Sequence, residues 1–481
     1  MLTKSNILLN LQCKRRLWLS TYCSNLAVDD ADAQSRMQSG NEVGSLAREL
    51  SPEGEFIDTK KLEEALERTH KVINATPNRP LFEPAFKVDD LLVRVDLLYP
   101  TEYGYKLVEV KSSTSVKPYY LKDVAIQTWV MQKAQPKTIK SFVSHINNEF
   151  MYMGGNQYTG YFTEVDVTES IQDHINEVPQ WTSDAKATIA LKTEPINIKT
   201  GTHCTKPFTC SFMEHCRSLE ESIEYPIDIL PYGRGVIERL KSEGYKDLRE
   251  VPDDVLEKKN HIVVHRVTKS GISELDAAAK IILDRLSYPR YYLDFETINY
   301  AIPKISNTKP FSQIVFQWSC HIENKGEKPT HQEFLDDNSE DPRRAFADSL
   351  ITLLGKSGTI FVYSGFEESR INELCKLFPD LQKPLKEIED RIFDLLKLSR
   401  DHYYHPDMKG SWSIKKLLPT ISELNYKDLA VQNGGMAQEA YKKLVSTTES
   451  KISKEQIKSD LLLYCEQDTQ AMVDIVEAFS R

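Results

Sequence analysis

Runs of alternating apolar and polar residues predict strands in both halves of the chain. Residues 93–97 and 107–111 alternate in the first half, residues 291–297 do so in the second, and residues 359–363 form a short apolar run. Because side chains on a strand point alternately to its two faces, each alternating run is expected to be half-buried. The pattern therefore predicts a strand-rich region in each half.

Apolar residues three or four positions apart predict helices beside these strands. Such spacing begins at Ile7 and Leu11 and returns at Leu121 and Val124. The predicted helices span residues 1–22, 62–72, 120–133, 236–243 and 272–286, with another around 464–468. Helices interspersed with strands predict the α/β class for the chain.

Length and composition indicate a soluble protein with more than one domain. A chain of 481 residues is too long for one hydrophobic core, and its 40% hydrophobic and 27% charged residues are typical of globular proteins. No apolar run is long enough to span a bilayer, and the first residues lack the apolar core of a secretory signal. We therefore expect a cytoplasmic protein without a membrane partner. The formal net charge of -10 restricts nucleic-acid contacts to local basic surfaces.

The predicted boundaries divide the chain into residues 1–222, 223–287 and 288–481. Pro226 and Pro231 interrupt the middle part, which otherwise shows helical patterns. A Gly-Arg-Gly turn before one of its helices weakly resembles a helix-hairpin-helix element, whose backbone amides can meet phosphate. A plain helical connector is the simpler interpretation and the one we expect.

Asp96, Glu109 and Lys111 combine residue types that suit metal-dependent hydrolysis. Asp96 lies near the end of one predicted strand, and after a short turn Glu109 and Lys111 share one face of the next. Carboxylates on neighbouring strands can hold a hard divalent cation through oxygen. A lysine beside them can activate water or stabilise charge on a phosphate. Gln127 lies four residues after Asp123 on the following helix and could face this site.

Cysteine spacing indicates a metal or cluster site in the first half. Cys204, Cys210 and Cys216 are evenly spaced on a short loop, and Cys13 lies far away near the start. A cytoplasmic chain is not expected to use them in disulfides. Four thiolates suit an iron–sulfur cluster or another soft metal. Zinc is a competing interpretation, although its usual sites contain two close pairs of ligands, and unrelated buried thiols are a third.

These motifs give residues 1 to about 220 a resemblance to the RecB-like branch of the PD-(D/E)XK nucleases. Within that branch the chain is similar to the iron–sulfur nucleases of CRISPR adaptation and to the AddB-type nuclease domain. The resemblance implies that Asp96 and Glu109 bind Mg²⁺ or Mn²⁺, with the Val110 carbonyl as a further ligand. It also implies that Lys111 is the catalytic lysine and that Gln127 supports the site. The implied 4Fe–4S cluster would join the two ends of the domain through Cys13, Cys204, Cys210 and Cys216.

The sequence departs from the pattern of these nucleases at two places. Many relatives carry a metal-binding histidine on an early helix, and the matching residues 44–47 include none. The usual Gln-x-x-x-Tyr pattern has Met131 in the tyrosine position after Gln127. Both departures concern the second metal ion and the contact with substrate, and the missing histidine is compatible with reduced activity.

Acidic residues near predicted strands of the second half form another candidate metal site. Asp294 and Glu296 project from one face of a strand, and Glu367 follows a later apolar run. Asp468 lies on a helix, one turn after Tyr464. Four acids converging from these elements can hold two metal ions that clamp the attacking and leaving oxygens of a phosphoryl displacement. Tyr464 would orient the attacking water.

The second half resembles the DnaQ-like 3′→5′ exonucleases that carry a tyrosine in their third motif. It also resembles a C-terminal domain of unknown function that often follows a RecB-like nuclease in bacterial proteins. The likeness rests on residues 293–297, 341–343, 366–367, 391–395, 410–415 and 464–469. It implies an RNase H-like DEDD domain in which Asp294, Glu296, Glu367 and Asp468 bind Mg²⁺ or Mn²⁺. Glu367 stands where these exonucleases usually have Asp, and its longer side chain would place a second metal differently.

Together the patterns predict a protein with two nuclease sites joined by the connector. Both sites would hydrolyse phosphodiesters of DNA, as single strands or at ends, while RNA and a protein partner such as a helicase are compatible with the motifs. A role in DNA repair or in defence against foreign DNA follows from resemblance alone. The alternative is a non-catalytic or half-active nucleic-acid-binding scaffold stapled by a metal or cluster. Clustered acids repel one another without a cation, which favours the nuclease.

Overall fold

A computed structural model describes residues 1–28, 31–51, 53–338 and 340–481, leaving out the side chains of residues 31–34. The chain divides into a first unit of residues 1–222 with 300–312 and a second unit of residues 223–299 with 313–481. Both units combine helices with β-sheets, so the predicted α/β class is confirmed. Each helix in the described ranges is too short or too polar to cross a lipid bilayer.

The first unit is a mixed α/β unit. Its helices are α1 (Lys4–Gln12), α2 (Lys14–Tyr22), α3 (Ala31–Glu49), α4 (Leu62–Ala75), α5 (Pro118–Ala134), α6 (Gln172–Ile189) and α7 (Met213–Ser218). Its strands are β1 (Leu2–Thr3), β2 (Glu55–Phe56), β3 (Leu81–Phe82), β4 (Ala85–Val88), β5 (Leu91–Arg94), β6 (Leu97–Thr101), β7 (Gly104–Lys111), β8 (Thr138–Ile146) and β9 (Phe162–Asp166).

The main sheet of the first unit has the strand order β2-β3-β6-β7-β8-β9. β6 is antiparallel to β7, whereas β7 and β8 are parallel and α5 connects them. Parallel neighbours need such a crossover. The fully buried Val124, Ala125 and Val130 of α5 pack in the core of the unit. This packing holds α5 beside the end of β7 that carries Glu109 and Lys111.

The chain changes sheets at Asp96, and this corrects the predicted strand 93–97. β5 pairs with β1 and β4 in a small sheet, whereas β6 pairs with β3 and β7 in the main one. Asp96 lies in the break between them rather than on a strand. The turn predicted after it is also shorter, because β6 continues to Thr101 and only Glu102 and Tyr103 form the turn.

The predicted helix 1–22 is two helices separated at Cys13. This residue has an extended backbone (φ -165°, ψ 122°) between α1 and α2. Gln12 fixes the break, because its Nε2 donates to the carbonyls of His203 and Phe208, each at 2.7 Å. Contacts with a loop almost two hundred residues away therefore override the local helical pattern.

The second unit contains the remaining regular elements. Its helices are α8 (Arg234–Ser242), α9 (Lys259–Ser270), α10 (Ala278–Asp284), α11 (Arg343–Leu354), α12 (Phe366–Leu377), α13 (Gln382–Glu389), α14 (Leu395–His402), α15 (Ile414–Leu417), α16 (Gly434–Leu444) and α17 (Lys451–Phe479). Its strands are β10 (Glu274–Leu275), β11 (Arg290–Ile298), β12 (Ile314–Glu323), β13 (Thr330–Leu335), β14 (Thr359–Val362), β15 (Ile392–Asp394) and β16 (Tyr403–Tyr404).

The five-stranded sheet of the second unit has the order β13-β12-β11-β14-β15. β11, β12 and β13 are successively antiparallel, whereas β14 and β15 run parallel to β11. The long helix α17 packs on β11 and β12, where Gln317 Nε2 donates to the carbonyl of Leu461 at 2.9 Å. This packing therefore brings the acids of α17 close to those of the central strand β11.

Residues 223–287 are packed into the second unit. The helix predicted at 272–286 is shortened to α10, because β10 pairs antiparallel with β16. Ile227, Leu230 and Leu240 are buried in the same core as Tyr404. A Cβ on Gly410, whose φ is +76°, would lie 1.6 Å from the carbonyl oxygen of Ile229. Only glycine allows this close approach of the two backbones.

Candidate functional site

Four carboxylates and a tyrosine meet on the sheet of the second unit. Asp294 and Glu296 project from β11, Glu367 lies in the first turn of α12, and Tyr464 and Asp468 lie on α17. All five line one groove of about 1160 Å³. Glu296, Glu367 and Asp468 are 7%, 3% and 8% exposed, so most of the charge is withdrawn from water. The structure thus brings together every site residue that the sequence indicated in this half.

Burial raises the pKa of each carboxyl in this acidic cluster, and repulsion from neighbouring acids adds to the rise for Asp294, Glu296 and Glu367. Burial and the charge of Asp468 raise the pKa of Glu296 to about 8. Burial, with Asp394 and Asp468 nearby, raises the pKa of Glu367 to about 8. The pKa of Asp294 lies well above its usual range, through burial and the three neighbouring acids. A cation between the carboxylates would relieve this repulsion.

The donor set fits a hard divalent cation. Glu367 Oε2 is buried and has no hydrogen-bond partner among the described residues. Buried carboxylate oxygens are normally paired with a donor or a metal, so this atom is available as a ligand. Oxygen ligands without histidine suit Mg²⁺ or Mn²⁺ better than zinc.

Two side chains beside the acidic cluster were not indicated by any sequence motif. Tyr426 donates its hydroxyl to Asp468 Oδ1 at 2.6 Å, although it lies in an irregular stretch 42 residues away. Cys465 is fully buried, and its Sγ lies 3.5 Å from Asp294 Oδ2. Cys465 follows directly after the candidate residue Tyr464, and that position was the one feature of the sequence that could have placed Cys465 near the site.

The raised pKa values make metal-free stability depend on pH, and Glu296→Gln should reduce that dependence. The folded protein holds protons that the unfolded chain releases above pH 4.5, so its stability is expected to fall as pH rises from about 5 to 8. With EDTA at pH 8, Glu296→Gln should therefore melt several degrees above the wild type, at about 2–4 °C per kcal/mol. Thermal melts at pH 5.5 and 8 measure both effects. An unchanged melting temperature at pH 8 would contradict the repulsion.

The candidate ligands of the first unit also lie together. Asp96 Oδ2 accepts a hydrogen bond from the peptide N–H of Val110 at 2.7 Å. Glu109 Oε1 accepts from Lys111 Nζ at 2.5 Å, and its Oε2 accepts from Gln127 Nε2 at 2.6 Å. Glu109 is 2% exposed and Gln127 fully buried. The two-residue spacing on β7 thus places Glu109 and Lys111 on one face, as the alternation predicts.

Lys4 and Asp123 complete this site, and the sequence did not single them out as site residues. Lys4 Nζ lies 2.8 Å from Asp123 Oδ1 and 3.1 Å from Glu109 Oε1. Lys111 Nζ lies 2.7 Å from Asp123 Oδ2. Gln127 Nε2 also donates to Asp123, at 3.0 Å. Lys4 comes from the first turn of α1, so only the packing of α1 against α5 reveals its role.

Two lysines largely neutralise the acids of the first unit. Burial lowers the pKa of Lys4, but the charges of Asp123 and Glu109 more than offset this and raise it above its usual value. Burial and the neighbouring Asp123 and Asp96 raise the pKa of Glu109 to about 7. Burial also raises the pKa of Asp123, but Lys111 and Lys4 outweigh it and hold that pKa below its usual range. Asp96 and Glu109 offer the oxygen ligands of a hard cation, which would compete with Lys4 for Glu109.

Residues near the expected histidine position contribute an arginine instead. Arg48 Nη1, at the end of α3, lies 4.0 Å from Glu83 Oε1. Glu83 also contacts Arg94, with 3.7 Å between Arg94 Nε and Glu83 Oε2. Burial, opposed by these two arginines, raises the pKa of Glu83. Glu83 is thus a further acid near Asp96 that the sequence motifs did not indicate.

Removal of Lys4 should destabilise the metal-free first unit. Lys4→Gln leaves Glu109 and Asp123 with one cation, and breaking a buried ion pair costs about 3 kcal/mol. Hydrogen-exchange mass spectrometry in EDTA should show faster exchange in β7, and Mn²⁺ should restore protection by replacing the lost cation. Lys14→Gln, at an exposed position of α2, is the matched control. Equal protection in wild type and Lys4→Gln would show that Lys4 does not stabilise the acids.

Four cysteines line one small cavity of the first unit: Cys13, Cys204, Cys210 and Cys216. All are free thiols, and the last three are buried. Burial raises the pKa of Cys210, and it raises that of Cys216 to about 11. Such thiols give up their protons to solvent most readily when they coordinate a metal, because a coordinating thiol is deprotonated. The break between α1 and α2 brings Cys13 to the segment that carries the other three, in which Cys216 lies on α7 rather than on the predicted loop.

Comparison with known proteins identifies similar proteins without a described activity. Residues 291–413 match the family described as a domain of unknown function, DUF2779. The uncharacterized protein UU173 of Ureaplasma parvum is 29% identical over 52% of this chain and 39% of its own length. The uncharacterized protein MG366 of Mycoplasma genitalium is 30% identical over 40% of this chain and 32% of its own length. This chain thus spans well under half of these curated relatives. No solved structure matches it significantly.

Proposed function

We propose that this chain is a divalent-metal-dependent nuclease that hydrolyses DNA single strands or ends at two candidate sites. The observation that carries the proposal is the acidic cluster of the second unit. Four carboxylates from three elements converge there, with raised pKa values and one buried oxygen that lacks a partner within the described part of the chain. Without a cation the arrangement is unfavourable, and with one it is a phosphoryl-transfer site.

The topology of the second unit supports an RNase H-like exonuclease domain. Such a domain has a five-stranded sheet with an antiparallel edge of three strands and two strands parallel to the first. The order β13-β12-β11-β14-β15 and its strand directions agree with that arrangement. The first two acids would then lie on the central strand and the last on the C-terminal helix, as Asp294, Glu296 and Asp468 do.

The second-unit residues would each have a distinct task. Asp294, Glu296, Glu367 and Asp468 would hold divalent metal, which when bound polarises the phosphate and lowers the pKa of attacking water. Tyr464, which lies one turn before Asp468 on α17 and lines the same groove, would orient that water. Lys415 Nζ lies 5.6 Å from the centre of the Tyr464 ring and would offer positive charge to a phosphate.

The first unit supports a PD-(D/E)XK nuclease by resemblance and by local geometry. An antiparallel β6–β7 pair, the crossover helix α5 and the parallel strand β8 form the framework expected of that fold. Asp96 and Glu109 would bind Mg²⁺ or Mn²⁺, with the Val110 carbonyl. Lys111 would stabilise charge on the phosphate, while Gln127 holds Glu109 in place.

One observation favours a half-active protein as the second candidate function. Lys4 and Lys111 already pair with Glu109 and Asp123, so the first unit has internal cations where a metal would bind. A unit of this kind could hold nucleic acid without cleaving it, while the second unit cleaves. Wild type would then show one cleavage activity rather than two.

We further assign the four cysteines to a 4Fe–4S cluster rather than zinc. Four sulfurs 2.3 Å from one tetrahedral zinc lie about 3.8 Å apart. Among the described residues, groups of three ligand atoms within 4.8 Å of one another include none of these thiols. The wider spacing suits ligands of a four-iron cluster.

Single-site variants test the proposal and separate the two sites. End-labelled single-stranded DNA is incubated with Mn²⁺ and wild type, Lys111→Ala, Asp294→Ala or the double variant. Two active sites predict that each single variant loses a different product pattern and that the double variant is inactive. If Lys111→Ala cleaves as wild type does, the first unit is a clamp. Cleavage by the double variant that equals wild type would contradict both sites.

A further inference from the structure

Residues 223–287 supply one wall of the groove that contains the acidic cluster. Pro231 and Tyr232 line it from one turn, and Lys258, Lys259 and Asn260 line it from the start of α9. The rest of the groove is lined by Asp294, Glu296 and Glu367, by residues of α14 and by the loop 410–415. A segment that the sequence pattern presents as a connector therefore borders the candidate site directly.

The geometry points to a binding track for single-stranded nucleic acid, formed by this wall and Arg400 of α14, which leads the strand to the acidic cluster. The inference rests on the proposed nuclease function and names its substrate class. The track consists of Tyr232, Lys258, Lys259 and Arg400, which we call the basic track. None of these residues belongs to the acidic motifs.

The charges of the basic track are available to a ligand. Lys258, Lys259 and Arg400 are exposed and make no ion pair with a carboxylate among the described residues. Asp401, which follows Arg400 and also lines the groove, is one acid beside the three cations of the track, so the charge of the track stays positive. The cations of the track would repel a free metal ion, whereas they would attract the phosphates of a polyanion such as nucleic acid. The chain as a whole carries a net negative charge, so this local excess of positive charge differs from the rest of the molecule.

Tyr232 is placed as a stacking surface. Its side chain is 82% exposed at the groove, and its backbone has φ 53°, which a bulky residue rarely adopts. Arg400 Nη2 lies 3.5 Å from the Tyr232 hydroxyl. An exposed aromatic ring next to cations is the arrangement by which proteins bind single strands, through base stacking and phosphate contacts.

The wall is held in place before a ligand arrives. His261 Nε2 lies 2.8 Å from the carbonyl oxygen of Pro231, which ties the turn to α9. Gly410 admits the Ile229 carbonyl into direct contact, and Tyr363 donates its hydroxyl to the carbonyl of Trp412 at 2.6 Å. A preformed wall lowers the ordering entropy of binding.

The size of the groove favours a strand over a single nucleotide. Its volume of about 1160 Å³ exceeds the roughly 300–1,000 Å³ typical of small-molecule pockets. The acids would take the scissile phosphate, and the basic track would take neighbouring nucleotides. Short oligonucleotides that reach only the acids should therefore bind more weakly than longer ones.

Binding measured without cleavage tests the basic track. Fluorescence anisotropy of labelled oligo-dT and oligo-U in EDTA compares wild type with Lys258→Ala/Lys259→Ala/Arg400→Ala. The triple variant should bind at least about tenfold more weakly, and its slope of log affinity against log salt should be smaller in magnitude by about 2, since each phosphate contact on a single strand contributes about 0.7. Lys325→Ala/Lys328→Ala/Lys356→Ala removes the same charge from exposed positions of the second unit outside the groove and should bind as wild type does.

Tyr232→Ala tests the stacking surface by itself. It should weaken binding roughly five- to hundredfold with little change in salt dependence, because stacking carries no counterion release. Tyr103→Ala, at a tyrosine 76% exposed in the first unit, is the matched control. The oligo-dT and oligo-U arms show whether the track accepts DNA, RNA or both.

Hydrolysis of bis(p-nitrophenyl) phosphate with Mn²⁺ separates failure of the track from failure of the nuclease. This small diester reaches the acids without the track, so the triple variant should hydrolyse it at the wild-type rate. Oligonucleotide binding by the triple variant equal to that of wild type, or no binding by wild type, would overturn the track. Lack of diester hydrolysis by wild type, with track-dependent binding intact, would overturn the proposed catalysis and leave the track standing.

Discussion

Asp294→Asn is expected to reduce metal-dependent cleavage by the second unit by roughly 10³-fold or more. Asp294 lies on the central strand. Burial and the charges of Asp468, Glu367 and Glu296 raise its pKa, so it interacts electrostatically with every other acid of the cluster. The asparagine keeps the shape of the side chain and removes one anionic oxygen ligand. Cleavage of labelled single-stranded DNA, in a Lys111→Ala background that isolates the second unit, measures the loss.

Isothermal titration with Mn²⁺ gives a second readout of the same variant. Asp294→Asn should bind Mn²⁺ at least about tenfold more weakly, whereas Asp254→Asn, at an exposed position of the same unit, should bind it as wild type does. In EDTA at pH 8 the Asp294→Asn protein should also be no less stable than wild type, since it removes repulsion. Undiminished Mn²⁺ binding and cleavage would show that Asp294 is not a ligand.

Cys210→Ser is expected to remove the cluster and to destabilise the first unit severely. Cys210 is 8% exposed and shares its cavity with the other three thiols, which connect the start of the unit to its end. Structural metal sites can contribute about 10 kcal/mol to folding, so loss of one ligand should lower the soluble yield strongly. The replacement is nearly isosteric, and the effect is therefore one of ligation rather than packing.

Colour and metal content distinguish the interpretations of the thiol cavity. Anaerobically purified wild type should be brown, absorb in the blue part of the visible range and contain iron and sulfide. Cys23→Ser, at a half-buried thiol outside the cavity, should keep the colour. Colourless wild type with one zinc would favour the zinc site, and wild type without metal whose stability is unaffected by Cys210→Ser would contradict any metal site.

Local periodicity predicted which candidate residues share one face of a single strand or helix. The two-residue repeat places Glu109 beside Lys111 on β7, and the helical repeat places Gln127 beside Asp123 on α5. The same reasoning found Tyr464 and Asp468 one turn apart on α17. These relations depend only on the backbone geometry of a single strand or helix.

Sequence periodicity did not predict contacts between elements that are far apart along the chain. Lys4 meets Glu109 across 105 residues, and Tyr426 meets Asp468 across 42. The break at Cys13 follows from the bonds of Gln12 to a remote loop. Each depends on which surfaces pack together, and periodicity gives the buried face of an element without its partner. Residues 223–287 are the largest case, since their position beside the acidic cluster follows from packing in the core of the second unit.

The most direct test of the central claim is cleavage by anaerobically purified wild type of end-labelled single-stranded DNA and RNA, with Mn²⁺ or with EDTA. The Lys111→Ala/Asp294→Asn double variant, prepared in parallel, serves as the blank. We expect Mn²⁺-dependent shortening of DNA by wild type, none in EDTA and none by the double variant. Intact DNA and RNA after incubation with metal-loaded wild type would contradict the nuclease and favour a non-catalytic scaffold.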